Sequence, residues 1–249
     1  MKHFFKKTLI VIMLALSLTL SACAINLNDF ISSDSTEISN DIYKKGVLTS
    51  NVTVLCYNYK GAKISQGSGV IYKYENGYYY IITNNHVVNN VYAYQIMDAY
   101  GEFWRADLVK GDENYDLAVV KFKATTNNYF YIPEIANTNP NVNDKLISIG
   151  NPNGVINSVT FGEIVGYQEL AELGGTPDAL TEGSSIRFEV LKHNAPIEGG
   201  SSGSAIFNYD YKICGINFAT GRDENGNYLS SYAIQPSKVI EFLTNNNLI

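Results

Sequence analysis

From Val52 onward the chain alternates short runs rich in Val, Ile, Tyr and Phe with breaks of Gly and Asn. Val52–Tyr59, Gly69–Tyr74, Tyr78–Thr83, Val91–Met97, Ala118–Phe122, Lys145–Ile149, Ser158–Val165, Ile186–Leu191, Lys212–Phe218 and Tyr232–Ile234 all read as strands. Asn76-Gly77 between Tyr74 and Tyr78 is a two-residue hairpin signal, because both turn positions need a positive φ. Strands at this spacing, with little helical period, predict an all-β barrel or sandwich. One helix is expected at the end, over residues 237–245, where Val239, Ile240 and Leu243 share a face. The stretch Tyr129–Asn143, with Pro133 and Pro140, is the best boundary between two lobes, at about 46–135 and 141–235.

The first 45 residues follow another pattern. Lys2, Lys6 and Lys7 precede an uncharged apolar run, Leu9–Leu20. It is too short to span a bilayer, which takes roughly 20 residues, and reads as a secretory signal peptide over residues 1–22. The Leu20-Ser21-Ala22-Cys23 run resembles the lipobox of bacterial lipoproteins, which implies a lipid anchor on Cys23. Residues 23–45 are rich in Asn, Ser, Asp and Thr, with neither helical nor strand period, and predict a flexible tether to a domain over 46–249. Removing residues 1–22 takes three lysines from 18 basic residues, leaving 15 against 24 acidic, a net −9. That balance argues against nucleic acid as a partner, since binding it calls for a basic face.

The candidate chemistry lies in three segments. Ser202 is framed by Gly200 and Gly203 in Gly199-Gly200-Ser201-Ser202-Gly203-Ser204-Ala205. Glycines allow a tight turn that lifts a serine oxygen clear and aims nearby N–H groups at one point. Upstream stand Thr83-Asn84-Asn85-His86-Val87-Val88 and Tyr115-Asp116-Leu117-Ala118-Val119-Val120. The order His, Asp, Ser is one of the chain orders of the serine triad. Outside the signal peptide only His86 and His193 offer an imidazole; His193 matches no catalytic position and reads as surface or pocket lining.

These segments, with Gly67-Ser68-Gly69-Val70, Gly150-Asn151-Pro152, Val159–Val165 and Cys214-Gly215-Ile216-Asn217, resemble the chymotrypsin-fold serine proteases of bacterial type. The likeness is to HtrA-type proteases and the neighbouring glutamyl endopeptidases, over roughly residues 47–244. It implies a two-lobed double β-barrel with a short C-terminal helix, protein or peptide substrates, and no metal or cofactor. It also implies His86 as general base, Asp116 as its orienting carboxylate and Ser202 as nucleophile. Asp116 is preferred to Asp112 and Glu113 because it directly precedes Leu-Ala-Val-Val. Ser202 is preferred to Ser201 because only Ser202 is followed by glycine. The same frame assigns the N–H groups of Gly200 and Ser202 to an oxyanion hole.

The departures from the family pattern bear on specificity. Asn217 and Ile197 stand where glutamyl endopeptidases carry His and Thr, and Pro196 stands where a basic-specific pocket has an acid. With Phe218 these residues predict an apolar pocket for small or medium side chains. Ser201 replaces the aspartate that pairs with a new N-terminus in animal digestive proteases. The family fold puts Cys56 and Cys214 in different lobes, which implies two buried thiols. The chain ends at Ile249, with no room after the helix for a PDZ domain. The Gly-rich segment 168–185 is an ordinary loop or a gate beside the site. Three functions fit: a lipid-anchored extracytoplasmic endopeptidase, a toxin-like protease with one target, or a non-catalytic module that binds peptides.

Overall fold

The computed structural model describes residues 33–126, 128–169 and 185–249. The chain divides into two compact units, Met1–Asp41 and Ile42–Ile249. In the first, the described residues belong to helix α1, Ser33–Lys45. The tether pattern predicted no helix there. Within the second unit, Ile42 of this helix is 1% exposed and Lys45 Nζ lies 4.7 Å from the centre of the Tyr211 ring. The few apolar residues of this stretch repeat at no helical period, so the pattern gave no helix signal. The signal-peptide segment 1–22, Cys23 and the rest of the tether lie outside the described residues, as do residues 170–184 of the Gly-rich segment.

The second unit holds two closed six-stranded barrels, each entirely antiparallel. The first comprises β1 (Asn51–Tyr57), β2 (Lys63–Glu75), β3 (Tyr78–Thr83), β4 (Ala93–Met97), β5 (Phe103–Asp112) and β6 (Leu117–Phe122), in the order β1-β2-β3-β6-β5-β4. The second comprises β7 (Lys145–Gly150), β8 (Ser158–Gln168), β9 (Val190–His193), β10 (Ala205–Phe207), β11 (Ile213–Arg222) and β12 (Tyr228–Ile234), in the order β10-β11-β12-β9-β8-β7. This is the chymotrypsin-like double barrel. A single turn, α2 (Asn85–Val88), follows β3, and α3 (Pro236–Asn245) closes the chain.

Local chemistry explains most of these elements. Asn76 (φ 52°) and Gly77 (φ 83°) make the tight turn of the β2–β3 hairpin. In α3 the proline sits at the first turn, where its missing N–H costs nothing, and Val239, Phe242 and Leu243 are buried. The pattern missed β5 because only Ala106 of its ten residues is buried, so nothing alternates. β9 begins at Val190 rather than Ile186: Ile186 is buried but pairs with no strand.

The first core gathers Val54, Ile71, Ile81, Ile96, Val120 and Phe122; the second gathers Leu146, Ile164, Leu191, Ile206 and Ala233. Each such side chain contributes about 1.5–3 kcal/mol by leaving water. Cys56 and Cys214 are free buried thiols, one in each barrel, and burial pushes the Cys56 thiol up to about 11.

Candidate active site

Strand pairing builds the first half of the site. β3 and β6 run antiparallel with Thr83 opposite Ala118, so the turn after β3 and the residue before β6 meet at one barrel end. α2 rises there and carries His86; Asp116 sits beneath it, fully buried. His86 Nδ1 lies 2.7 Å from Asp116 Oδ2, and the His86 backbone N–H donates to Asp116 Oδ1 at 2.9 Å. Both carboxylate oxygens therefore have donors, which a buried carboxylate requires. Asn84 Nδ2 donates to the Asp116 carbonyl, and the Asp116 N–H donates to Glu113 O. Asp116 has φ 49°, a left-handed conformation that Asp tolerates better than most residues. An ionised carboxylate only accepts, so the imidazole proton sits on Nδ1 and Nε2 keeps its lone pair. That leaves Nε2 able to take up a proton.

The second half is the turn between β9 and β10. Ser201 N–H donates to Glu198 O at 2.9 Å, closing a turn with Gly200 at φ 96°. Gly203 follows at φ 87°, and a Cβ there would stand 2.2 Å from Ser68 O. Only glycine fits. Asn153 N–H donates to Gly199 O at 2.7 Å, and Ser204 N–H to Ser201 O at 2.9 Å. Across a trans peptide the N–H points opposite to the C=O. The Gly200 N–H therefore points away from Asn153 and the Ser202 N–H away from Ser204.

His86 and Ser202 line the same cleft, of ≈ 180 Å³, with Ile197, Glu198, Gly199, Phe218, Ala219, Thr220 and Arg222. A larger concavity of ≈ 790 Å³ on the first barrel, lined by Tyr57, Tyr92, Gln95, Arg105 and Asp107 among others, includes none of the three triad candidates. Of the four expected pocket residues, Ile197 and Phe218 line the cleft, while Pro196 and Asn217 do not. Pro196 is exposed and accepts from Thr160 Oγ1. Asn217 is fully buried behind the nucleophile turn: its Nδ2 donates to Ser148 Oγ and Ser204 Oγ, and its Oδ1 faces His193 Nε2 at 2.9 Å. Asn217 points into the polar interior behind the turn, while Phe218, also buried, reaches the cleft; the pairing is irregular between Asn217 and Ala219, which a family position alone did not convey. His193 is core, not pocket lining, with 0% exposure.

Sequence reasoning missed Arg222, whose guanidinium pairs with the Glu198 carboxylate at the cleft. No local signal marks it, since its partner is distant in sequence. It also gave Ser68 no role, although Gly67-Ser68-Gly69 flags a close backbone approach: a Cβ on Gly67 would stand 2.9 Å from Ser202 O.

Known proteins resemble this chain in sequence and in fold. A family model described as trypsin-like peptidase domain matches residues 67–216. The chain belongs to that family. Among curated proteins, a probable periplasmic serine endoprotease DegP-like of Buchnera aphidicola is 30% identical over 209 residues, 81% of this chain and 40% of that one. The serine protease Do-like HtrA of Bacillus subtilis is 33% identical over 157 residues, 61% of this chain and 32% of its own length. This trypsin-like chain thus spans two fifths or less of those HtrA-type relatives. Among solved structures, the active form of the Rv3671c protease from M. tuberculosis superposes with a TM-score of 0.66 at 18% identity, over 83% of this chain and 84% of that one. At that identity the likeness speaks for the fold.

Proposed function

We propose that this chain is a serine endopeptidase that hydrolyses peptide bonds through an acyl-enzyme. The observation that carries the proposal is the buried Asp116 carboxylate on His86 Nδ1, opening onto a cleft that Ser202 also lines. In this reading His86 Nε2 takes the Ser202 proton as Oγ attacks the substrate carbonyl, then returns it to the leaving amine. The N–H groups of Gly200 and Ser202 receive the oxyanion, an interaction worth about 2.7–4 kcal/mol per donor. Asp116 holds the tautomer and stabilises the imidazolium. Water then repeats the sequence on the acyl-enzyme.

The cleft supports cleavage after small or medium apolar residues. Ile197, Phe218 and Ala219 are apolar, and the volume is small. The two charged side chains at the cleft neutralise each other. Burying an unpaired substrate charge there costs several kcal/mol, against about 0.8 kcal/mol gained per buried methylene. A lipid anchor at Cys23 on the extracytoplasmic face of a bacterial membrane completes the proposal, motivated by the lipobox-like run and the word periplasmic in a relative's name. Two acyl chains hold stably where one binds marginally.

Fluorophosphonate labelling tests the chemistry. Ser202→Ala is expected to lose labelling and turnover, by up to roughly 10⁶-fold, while Ser201→Ala keeps both. Modification of Ser201, or none in folded protein, defeats the assignment. Mass spectrometry of the mature N-terminus tests the anchor: an unmodified soluble form refutes it.

A further inference from the structure

Ser68 lies on β2 of the first barrel, fully buried, and touches the nucleophile turn of the second barrel at two points. Its N–H donates to Ser202 O at 2.8 Å, and its hydroxyl donates to Gly200 O at 2.7 Å. The same hydroxyl accepts the Asn151 N–H at 2.9 Å. Asn151 begins the short segment whose Asn153 N–H holds Gly199 O. Thr83 Oγ1 in turn donates to Ser68 O at 2.7 Å, which ties this grip to the strand leading to His86.

We infer that Ser68 is a positioning residue for the oxyanion donors: its hydroxyl locks the Gly199-Gly200 turn so that the Gly200 N–H faces the reacting carbonyl. The inference rests on the proposed acyl-transfer function. Gly199 and Gly200 carry no Cβ, so sterics alone do not stop their shared peptide from rotating. Hydrogen bonds must do so. Four successive carbonyls, from Gly199 to Ser202, are held by Asn153, Ser68, Ser204 and Ser68. Two of those four come from one residue on the opposite barrel. The Ser68 hydroxyl holds the carbonyl of the following peptide, Gly200–Ser201. Through the Asn151 N–H it steadies the 151–153 segment whose Asn153 holds the Gly199 carbonyl, so removing it loosens the peptides on both sides of the Gly200 Cα. Ser68 meets no substrate: it is 0% exposed and does not line the cleft.

The test is Ser68→Ala in the full chain, with Ser68→Cys as a size-matched variant that donates weakly. Active sites are first counted by exhaustive fluorophosphonate labelling, so that misfolded molecules drop out. For Ser68→Ala, kcat per active site should fall about 10- to 100-fold, less than the 10²–10³ for deleting a donor outright. KM for a neutral peptide substrate should stay within about twofold, because ground-state binding does not use the donors. Affinity for a peptide boronate, whose tetrahedral anion does use them, should fall by the same factor as kcat. The pH midpoint of kcat/KM should not move, since the His86–Asp116 pair is untouched. Ser68→Cys should fall between the two and supplies the same readings if the alanine variant does not fold. Unchanged kcat per active site overturns the inference; so does a fall in kcat with unchanged boronate affinity. Wild-type protein that neither labels nor turns over defeats the proposed function instead, before Ser68 is tested.

Discussion

The two barrels share strand number and pairing but hold their parts of the site in opposite ways. The first has a dry interior, where Tyr79, Phe122 and Phe130 pack with centroids 4.8–6.0 Å apart. Its contribution, the His86–Asp116 pair, is closed by hydrogen bonds from its own turns. The second buries a polar chain, Ser148 and Ser204 to Asn217 to His193, directly behind its nucleophile turn. That turn is braced from outside by Ser68 and from below by Asn217, whose backbone exchanges bonds with Gly203 and Ser204. A carboxylate–imidazole pair can be fixed by two side chains and their neighbours. A pair of backbone N–H groups has no side chain of its own to steer it, so its geometry is borrowed from whatever binds the adjacent carbonyls.

Breaking the self-contained half should have the largest effect. Asp116→Asn keeps a residue that tolerates the left-handed backbone. It presents an amide that can hold the wrong tautomer of His86. An analogous change drops kcat about 10⁴-fold, and the same scale is expected here with the unfolding midpoint little changed. A loss below tenfold means the pair does not serve the chemistry.

Next in size is the crowding where the two barrels meet. At Gly203 a Cβ would stand 2.2 Å from Ser68 O and 2.3 Å from Thr83 Oγ1, at φ 87°. Gly226 has a similar φ of 82° but open space around it. Gly226→Ala should cost only the left-handed penalty, about 1–2 kcal/mol. Gly203→Ala should cost about 3 kcal/mol or more, because overpacking adds to that penalty. Urea unfolding of both variants checks it; equal losses mean the turn is not wedged against β2.

The polar chain makes the second barrel acid-sensitive through His193. Burial drives the His193 imidazolium down to about 4 from 6.5, while its bond to Asn217 pulls the other way. Asn217 gives its amide protons to two serines, so Oδ1 accepts from His193 Nε2–H, and Nδ1 has no partner among the described residues. Between pH 6.5 and 4 the unfolded chain binds a proton that the folded chain refuses. Stability attributable to His193 is therefore complete above that window and falls as pH drops through it, by roughly 2 kcal/mol at pH 5. His193→Gln keeps a donor toward Asn217 and removes the titration. The stability lost between pH 7 and pH 5 should be about 2 kcal/mol smaller in the variant. Equal losses show that His193 is not the acid-sensitive group.

What the sequence made legible follows the same division. His86, Asp116 and Ser202, which the structure brings together at one cleft, stood out as candidates because each sits in a short run whose residue types serve one chemistry. Most strands were readable from their runs of Val, Ile, Tyr and Phe; β5 escaped because it buries almost nothing, and β10 because it is only three residues long. Asn217 was misjudged for a deeper reason: its role depends on which way a strand residue points and on partners 13, 24 and 69 positions away. Ser68 reaches 132 positions to Gly200, and no local pattern encodes that.

The smallest effect expected concerns the one charged contact at the cleft. Glu198 sits on the turn just before Gly199, and Arg222 ends β11. Their side chains are 48% and 32% exposed, so solvent screens the pair and it contributes about 0–1 kcal/mol to stability. Its effect on selectivity should be of the same size. With the pair intact neither charge is free for substrate. Glu198→Gln leaves Arg222 as an unneutralised cation at the cleft, so peptides with an acidic residue near the cut should gain up to about fivefold in kcat/KM. Arg222→Gln leaves Glu198, and basic peptides should gain by a similar factor. The gains should shrink as salt is raised, because an exposed charge is screened within about 10 Å at 0.1 M. A peptide library digested by the three proteins at two salt concentrations reads all of this. Dominant cutting after Lys or Arg by the wild-type chain, lost in Glu198→Gln, would mean that Glu198 abandons Arg222 for substrate and that the cleft is not neutral. Gains of the same sign in both variants would mean that the pair shapes the turn rather than its charge.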